Sequence, residues 1–208
     1  MKKLLILLFS IFLLSSPSVF ADDISDFEIE GISIGDSLLD YMTEDEILEE
    51  IEITKNHYSY LKEPNKYAEV YIWKDFPTYD WVSVFIKNNS TNQYVTNINE
   101  KFTILFIRGF IKYNEDFDSC IAKRDEIAET LSKVFPNANT RSKVVEHSID
   151  PSGNSFIDVV YFDFDSGGTA EVYCSNFEET LRIKNNWAEG LNVAITSEEI
   201  LEWLGNHK

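Results

Sequence analysis

The chain has 208 residues, with 36 acidic and 18 basic side chains and a formal net charge of −18. Such an acidic surface repels nucleic-acid phosphates and anionic lipid head groups, so we exclude nucleic-acid binding. Two cysteines, eight glycines and five prolines exclude a disulfide-dense mini-protein and a collagen-like fibre, and a hydrophobic content of 44% is enough to form a folded core.

The first 21 residues have the features of a secretory signal peptide. Lys2 and Lys3 precede an apolar stretch of eleven residues, which is shorter than the about 20 residues that a membrane-spanning helix needs. Val19 and Ala21 are suitable for the last positions before a signal-peptidase cut. We expect cleavage after Ala21 and a soluble protein in the periplasm or outside the cell, without a transmembrane helix. An uncleaved membrane anchor is the alternative.

Residues 22–66 are predicted to form an acidic, helical N-terminal segment. Residues 22–54 hold thirteen acids and no base. Thr43 and Glu46 have the spacing of a capping box, and the apolar residues between Ile47 and Ile51 then fall on one helical face. The acids are expected to be a solvated surface. Docking of a basic partner, or weak binding of divalent cations, is the alternative.

Residues 67–208 are predicted to form a second unit, built mainly of strands. The hydrophobic period is two from Tyr67 onward, and residues 102–113 are apolar on both faces, which is typical of a central strand. Apolar residues recur every three or four positions from Phe117 to Phe135, and Pro136 ends this helix. Turn residues separate further predicted strands, and a capping pattern predicts a C-terminal helix. The further strands lie at residues 144–149, 156–164, 170–174 and 191–195.

Strands in consecutive runs around one helix indicate an α+β fold rather than a parallel α/β fold. We therefore predict an antiparallel sheet of about five to seven strands, packed on one long helix, with short N- and C-terminal helices.

Cys120 and Cys174 are the two cysteines of the chain. In an oxidising compartment such a pair is expected to form a disulfide bond, here between the long helix and the end of a strand. The alternative is a reactive thiol at Cys120, activated by the start of the helix.

The four residues from Gly35 to Leu38 resemble the sequence block that names the GDSL esterases and lipases. That resemblance implies an acyl nucleophile at Ser37, which would need a histidine base, usually preceded by an aspartate three positions earlier. Thr54, Val144 and Leu204 occupy that earlier position for the three histidines. A turn at Gly35 followed by a capped helix is the alternative interpretation.

The stretch from Val159 to Thr169 resembles the phosphatase block of the haloacid dehalogenases and part of a calcium-binding loop. Two inserted residues break the first pattern, and the closing acid of the second is missing. We interpret the stretch as the tip of a β-hairpin. The three histidines are scattered along the chain, so no zinc site or other metal site is predicted.

Aromatic residues are dense around the turn between the first two predicted strands. Trp73, Tyr79 and Trp81 are the candidate members of a ligand platform on which a glycan or another small molecule stacks. The alternative is that these rings are core residues and cross-strand pairs.

The stretch from Glu30 to Tyr41 resembles the opening of uncharacterised exported proteins of AT-rich marine bacteria. The helix that carries Cys120, His147 before a turn, and the acidic hairpin that ends at Cys174 extend this resemblance. It implies export and no known activity.

No complete catalytic set is present in the sequence, and no cofactor is predicted. We expect a non-enzymatic envelope component that binds another protein or a small ligand. A GDSL-type hydrolase that uses Ser37, and a glycan or small-molecule binder that uses the segment from Trp73 to Trp81, are the two alternatives.

Overall fold

A seven-stranded antiparallel sheet organises the fold, and the α+β class and the antiparallel sheet agree with the sequence-based prediction. The computed structural model describes residues 24, 27–58, 61, 66–90, 97–113 and 116–206. In chain order the elements are β1 Glu28–Ile29, β2 Ile32–Ser33, α1 Glu44–Thr54, β3 Tyr67–Ile72, β4 Trp81–Asn88, β5 Phe102–Lys112, α2 Phe117–Val134, β6 Asn139–Glu146, β7 Phe156–Asp163, β8 Thr169–Asn176, α3 Glu179–Asn185, β9 Gly190–Thr196 and α4 Glu198–Gly205.

The order of strands across the sheet is β3-β4-β5-β9-β8-β7-β6. Two three-stranded meanders, β3 to β5 and β6 to β8, are therefore joined by β9, the last strand in the chain. The interior position of β5 agrees with its prediction as a central strand. The sequence predicted β9 as one additional strand but did not predict that it would lie between the two meanders.

One face of the sheet carries the main hydrophobic core, and we call it the core face. Val70, Val84, Ile107, Val172 and Val193 lie on it and are at most 1% exposed. Helix α1 packs against β3 on this face, and α2, which has 18 residues, packs against β8 and β9. The short helix α4 packs against β5 on the opposite face.

The N-terminal segment shares this core with the sheet. Ile29, Ile32 and Leu38 are buried in the same cluster as the strands. Helix α1 begins with the predicted capping box, in which the Thr43 side chain accepts from the Glu46 N–H and the Glu46 carboxylate accepts from the Thr43 N–H at 2.8 Å. These contacts fix the start of α1 and so place its apolar face on β3.

The predicted disulfide is present between α2 and β8. The Sγ atoms of Cys120 and Cys174 lie 1.98 Å apart, and both residues are buried. The bond therefore fastens the helix to the sheet across the core.

The predicted boundary of β6 was wrong. The strand begins at Asn139, five residues before the predicted start at Val144, and ends at Glu146. Residues 139–144 are all exposed because β6 is an edge strand, so its first half has no buried face and shows no hydrophobic alternation.

The predicted leader, residues 1–21, and its cleavage site lie outside the described residues. Within the described ranges, no helix has both the length and the apolar character that crossing a membrane requires.

Replacement of Gly190 by alanine should destabilise the fold by about 2 kcal/mol or more, because Gly190 starts the central strand β9 in close contact with β5. A Cβ atom there would lie 2.1 Å from the carbonyl oxygen of Ile111 and 2.9 Å from the ring of Phe110. Urea unfolding monitored by circular dichroism measures the loss.

Gly205→Ala is the matched control, since nothing lies within 4 Å of a Cβ atom at that position in α4. Its stability should equal or slightly exceed that of the wild type, because alanine favours a helix. Equal unfolding midpoints for the two variants would contradict the close packing of β9 on β5.

Candidate ligand-binding face

The face of the sheet opposite α1 and α2 is polar and aromatic, and we call it the polar face. Residues directly opposite each other on neighbouring strands have Cβ atoms about 5 Å apart. The strand register therefore aligns one side chain from every strand in a continuous strip across the whole sheet. From β3 to β6 this strip consists of Tyr71, Ser83, Arg108, Ala194, Glu171, Tyr161 and Arg141.

Helix α4 covers one end of the polar face. Ile200 packs with Tyr67, Phe85 and Phe106, and Glu199 of α4 accepts a hydrogen bond of 2.6 Å from the Tyr67 hydroxyl. The rest of the strip and the row beside it alternate between buried side chains, such as Ser83 and Ala194, and half-buried ones. The half-buried side chains there are Tyr71, Trp81, Tyr161, Glu171 and Tyr173.

An ion pair between Glu69 and Arg108 lies beneath the β3–β5 half of the polar face. Glu69 is 1% exposed, and its carboxylate accepts from Arg108 Nη2 at 3.1 Å. Arg108 Nε donates to Ser83 Oγ at 3.2 Å, and His57 Nδ1 lies 3.2 Å from the second carboxylate oxygen of Glu69. The Arg108 guanidinium also lies over the ring of Trp81, 5.1 Å from its centroid. These contacts tie Arg108 to β3 and β4, and its positive charge also faces the Tyr173 hydroxyl on β8.

On the other half of the sheet, Arg141 and Asp163 form a second ion pair. Arg141 Nε donates to Asp163 at 2.7 Å, and its guanidinium lies over the ring of Tyr161 at 3.8 Å from the centroid. Thr169 Oγ1 donates to the same aspartate at 2.9 Å. Both carboxylate oxygens of Asp163 therefore already accept hydrogen bonds within the protein, although a metal ion or a phosphoryl group would need them free.

Glu171 lies on the strip between these two ion pairs. Its direct neighbours are Ala194 on β9 and Tyr161 on β7. Among the described residues, none donates a hydrogen bond to its carboxyl group or forms an ion pair with it. Burial raises the pKa of Glu171 to about 7, although the positive charges of Arg108 and Arg141 oppose this shift. The polar face therefore holds one recessed, titratable carboxyl group without a direct partner in the described sheet.

Trp73 and Trp81, two of the three residues of the predicted aromatic platform, both contact the ring of Tyr71. Trp73 stacks on Tyr71 with centroids 5.5 Å apart, and Tyr71 contacts Trp81 at 5.4 Å. Trp81 stacks in turn on Phe110 at 4.6 Å. Trp73 ends this row of rings, is 69% exposed, and donates from Nε1 to Glu50 at 2.9 Å.

Tyr79, the third predicted member, is not part of this row. It is 8% exposed and belongs to the main core, where its ring lies against Gly109. Gly109 pairs with Val82 and Val193 on the core face, so Tyr79 lies on the opposite side of the sheet from Trp81.

Ser37, the nucleophile that the GDSL resemblance implies, is buried and starts a short 3-10 turn. Its Oγ has no hydrogen-bond partner in the described part of the chain. His57 lies beside Glu69, and His147 packs on Phe177 and Trp187. The third histidine, residue 207, lies outside the described residues. The structure therefore places no described histidine in the role of a base for Ser37.

The acidic stretch after Val159 forms the hairpin that the sequence predicted. Strand β7 ends at Asp163 and β8 begins at Thr169. Gly167 and Gly168 have φ angles of +88° and +83°, a conformation that glycine adopts without strain. Over the described ranges, no three acidic, histidine or cysteine residues are grouped so as to hold a metal ion.

Glu69, Arg108 and Glu171 were not predicted from the sequence as site residues. Each is a charged strand residue whose immediate neighbours in the chain are apolar or glycine. That pattern was the available signal, because a single charge inside a buried strand lowers the stability of the fold unless it is paired or binds a ligand. The register of the sheet, which brings Arg108 and Glu171 into one strip, was not readable from the sequence.

Comparisons with protein-family models, curated proteins and solved structures find no match to this chain.

Proposed function

We propose that this protein is a non-enzymatic binding protein that holds a small ligand on the polar face of its sheet. The observation that carries the proposal is the strip across that face, where the unpartnered carboxyl group of Glu171 lies among half-buried tyrosines. Small-molecule sites typically combine aromatic walls with a few convergent polar groups. The other face of the same sheet is covered by α1 and α2.

The composition of the polar face is difficult to explain by stability alone. A buried ion pair such as Glu69 with Arg108 is often no more stable than an apolar pair of the same size. A recessed carboxyl group such as Glu171 also loses hydration without gaining a bond. Groups of this kind accumulate at binding and catalytic sites, where they serve a ligand.

A binding role is favoured over catalysis because nucleophilic catalysis needs a nucleophile in contact with a base. Ser37 lacks such a base among the described histidines, and both guanidinium groups of the polar face are already bonded to carboxylates.

Export is part of the proposal. The leader pattern of residues 1–21 directs a chain out of the cytoplasm. The disulfide between Cys120 and Cys174 is of the kind that persists in an oxidising compartment. We therefore place the protein in the periplasm or among secreted proteins.

Amide NMR of the ¹⁵N-labelled protein tests the site. Three probes, namely cellohexaose, glutarate and choline, represent neutral, anionic and cationic ligands. At least one of them should shift the signals of Trp81, Tyr173 and Asn192 at millimolar concentration. Trp81→Ala should weaken that binding by about tenfold or more, as expected for loss of a central aromatic contact.

Trp187→Ala is the matched control, because Trp187 is also half-buried but packs on His147 and Phe177 away from the polar face. Its affinity for the probe should equal that of the wild type. The proposal would be overturned if none of the three probes shifted the polar-face signals, or if the two tryptophan variants lost affinity equally.

A further inference from the structure

We infer that the ligand of the polar face carries a positively charged nitrogen and that Glu171 is the carboxylate that binds it. The inference rests on the proposed function, and it names the chemical class of the ligand and the residue that selects it.

Both arginines of the polar face already have carboxylate partners. Arg108 is bonded to Glu69, and Arg141 is bonded to Asp163. Each guanidinium therefore has its own carboxylate, and among the described residues neither forms an ion pair with Glu171. A cationic group on a ligand would give Glu171 the partner that it lacks, whereas an anionic ligand would be repelled by its carboxylate.

Arg108 does not satisfy Glu171 although it lies on the same strip. Its guanidinium donates to Ser83 on β4 and to Glu69 on β3 and also faces the Tyr173 hydroxyl on β8, and no ion pair joins it to Glu171 in the described sheet. Ala194, which is 0% exposed, stands between Arg108 and Glu171 and offers only a methyl group. Because strands are about 4.8 Å apart, the backbones at Arg108 and Glu171 are separated by about 10 Å.

The rings around Glu171 favour a cation. Tyr161 is its direct neighbour, and Tyr173 lies two residues further along the same strand on the same face. Aromatic rings attract cations, and two guanidinium groups of this face already lie over rings, at 3.8 Å from Tyr161 and 5.1 Å from Trp81. The overall charge of −18 also raises the concentration of cations near the surface.

The pKa of Glu171 supports the same chemistry. Burial raises this pKa to about 7. The groups that face the carboxyl are Arg108 from β5, Arg141 from β6, Asp163 and Tyr161 from β7, and Tyr173 from its own strand. Since the folded-state pKa is above the ordinary value of 4.5, ionisation of Glu171 lowers the stability of the fold as the pH rises from 4.5 towards 7. A bound cation offsets this loss, so cation affinity should rise with pH over the same window.

Two pairs of probes with nearly the same shape test the inference. Choline is compared with the neutral 3,3-dimethylbutan-1-ol, and benzamidine is compared with the neutral benzamide. At least one cation should bind the polar face about tenfold more tightly than its neutral partner, as expected when a positive charge pairs with a partly buried carboxylate. Isothermal titration calorimetry measures the affinities, and amide NMR shows where each probe binds.

Glu171→Gln should reduce the affinity of that cation to the level of the neutral partner. Asp165→Asn at the exposed hairpin tip removes the same charge elsewhere and should change the affinity less than twofold, because distant exposed charges are screened. A test on the wild-type protein avoids any effect of a substitution on folding. Its affinity for the cation should fall by about tenfold or more when the pH is lowered from 8.5 to 5.5.

Equal affinity for cation and neutral partner, an unchanged affinity in Glu171→Gln, or an affinity independent of pH would each overturn the inference. If cellohexaose or glutarate shifts the polar face while both cations fail, the ligand class is wrong and the proposed binding site still stands. If no probe of any class shifts that face, the proposed function fails with it.

Discussion

Removal of both cysteines should cost the protein about 4 kcal/mol of its free energy of unfolding. Cys120 and Cys174 are separated by 54 residues, and their bond removes the entropy of a loop of that length from the unfolded chain. The variant Cys120→Ala/Cys174→Ala leaves α2 without its covalent attachment to β8. Urea unfolding of this variant and of the oxidised wild type gives the difference.

The reduced wild type is the control for the lost covalent bond, because it keeps both sulfur atoms in the core. Its stability should fall close to that of the double variant. A loss below about 1 kcal/mol in both proteins would show that the disulfide does not constrain the unfolded chain as the loop-entropy argument requires.

Replacement of Glu69 by leucine should destabilise the fold by about 3–5 kcal/mol, because Arg108 then stays buried without a compensating charge. Glu69 is 1% exposed and the Arg108 side chain is 16% exposed, so water replaces the lost carboxylate poorly. The double variant Glu69→Leu/Arg108→Met removes both charges and should recover most of the lost stability. A double-mutant cycle measured by urea unfolding separates the two effects.

Glu49→Leu is the matched control on the exposed surface of α1. It should change the free energy of unfolding by less than about 0.5 kcal/mol. If Glu69→Leu behaved like Glu49→Leu, or if the double variant were no more stable than Glu69→Leu, the Glu69–Arg108 pair would not be the buried unit that the structure shows.

Local periodicity predicted most of the elements. The apolar residues that recur every three or four positions from Phe117, and the capping pattern at Thr43, are close in the chain, so their structural consequences are visible in a short window. β9 lies between β5 and β8 because it pairs with residues of β5 such as Ile111, which come more than 75 positions earlier in the chain. No local pattern records such a choice, and only the sheet topology shows it.

The candidate site was less accessible to prediction. Trp73 and Trp81 stood out by their residue type, but Tyr79 was grouped with them because the turn between β3 and β4 hides which side of the sheet it enters. Glu171 shows the same limit, since one acid in a strand has no visible relation to a base 63 positions earlier at Arg108. The register that aligns them is a property of the folded sheet.

The carboxyl carbon of Glu171, followed by ¹³C NMR through a pH titration with and without the tighter-binding of choline and benzamidine, tests the central claim most directly. The midpoint should lie at about pH 7 in the free protein. A saturating concentration of that cation should lower the midpoint by about one pH unit or more, because a bound cation favours the carboxylate. A midpoint near the ordinary value of 4.5, or one that neither cation lowers, would contradict a cation site at Glu171.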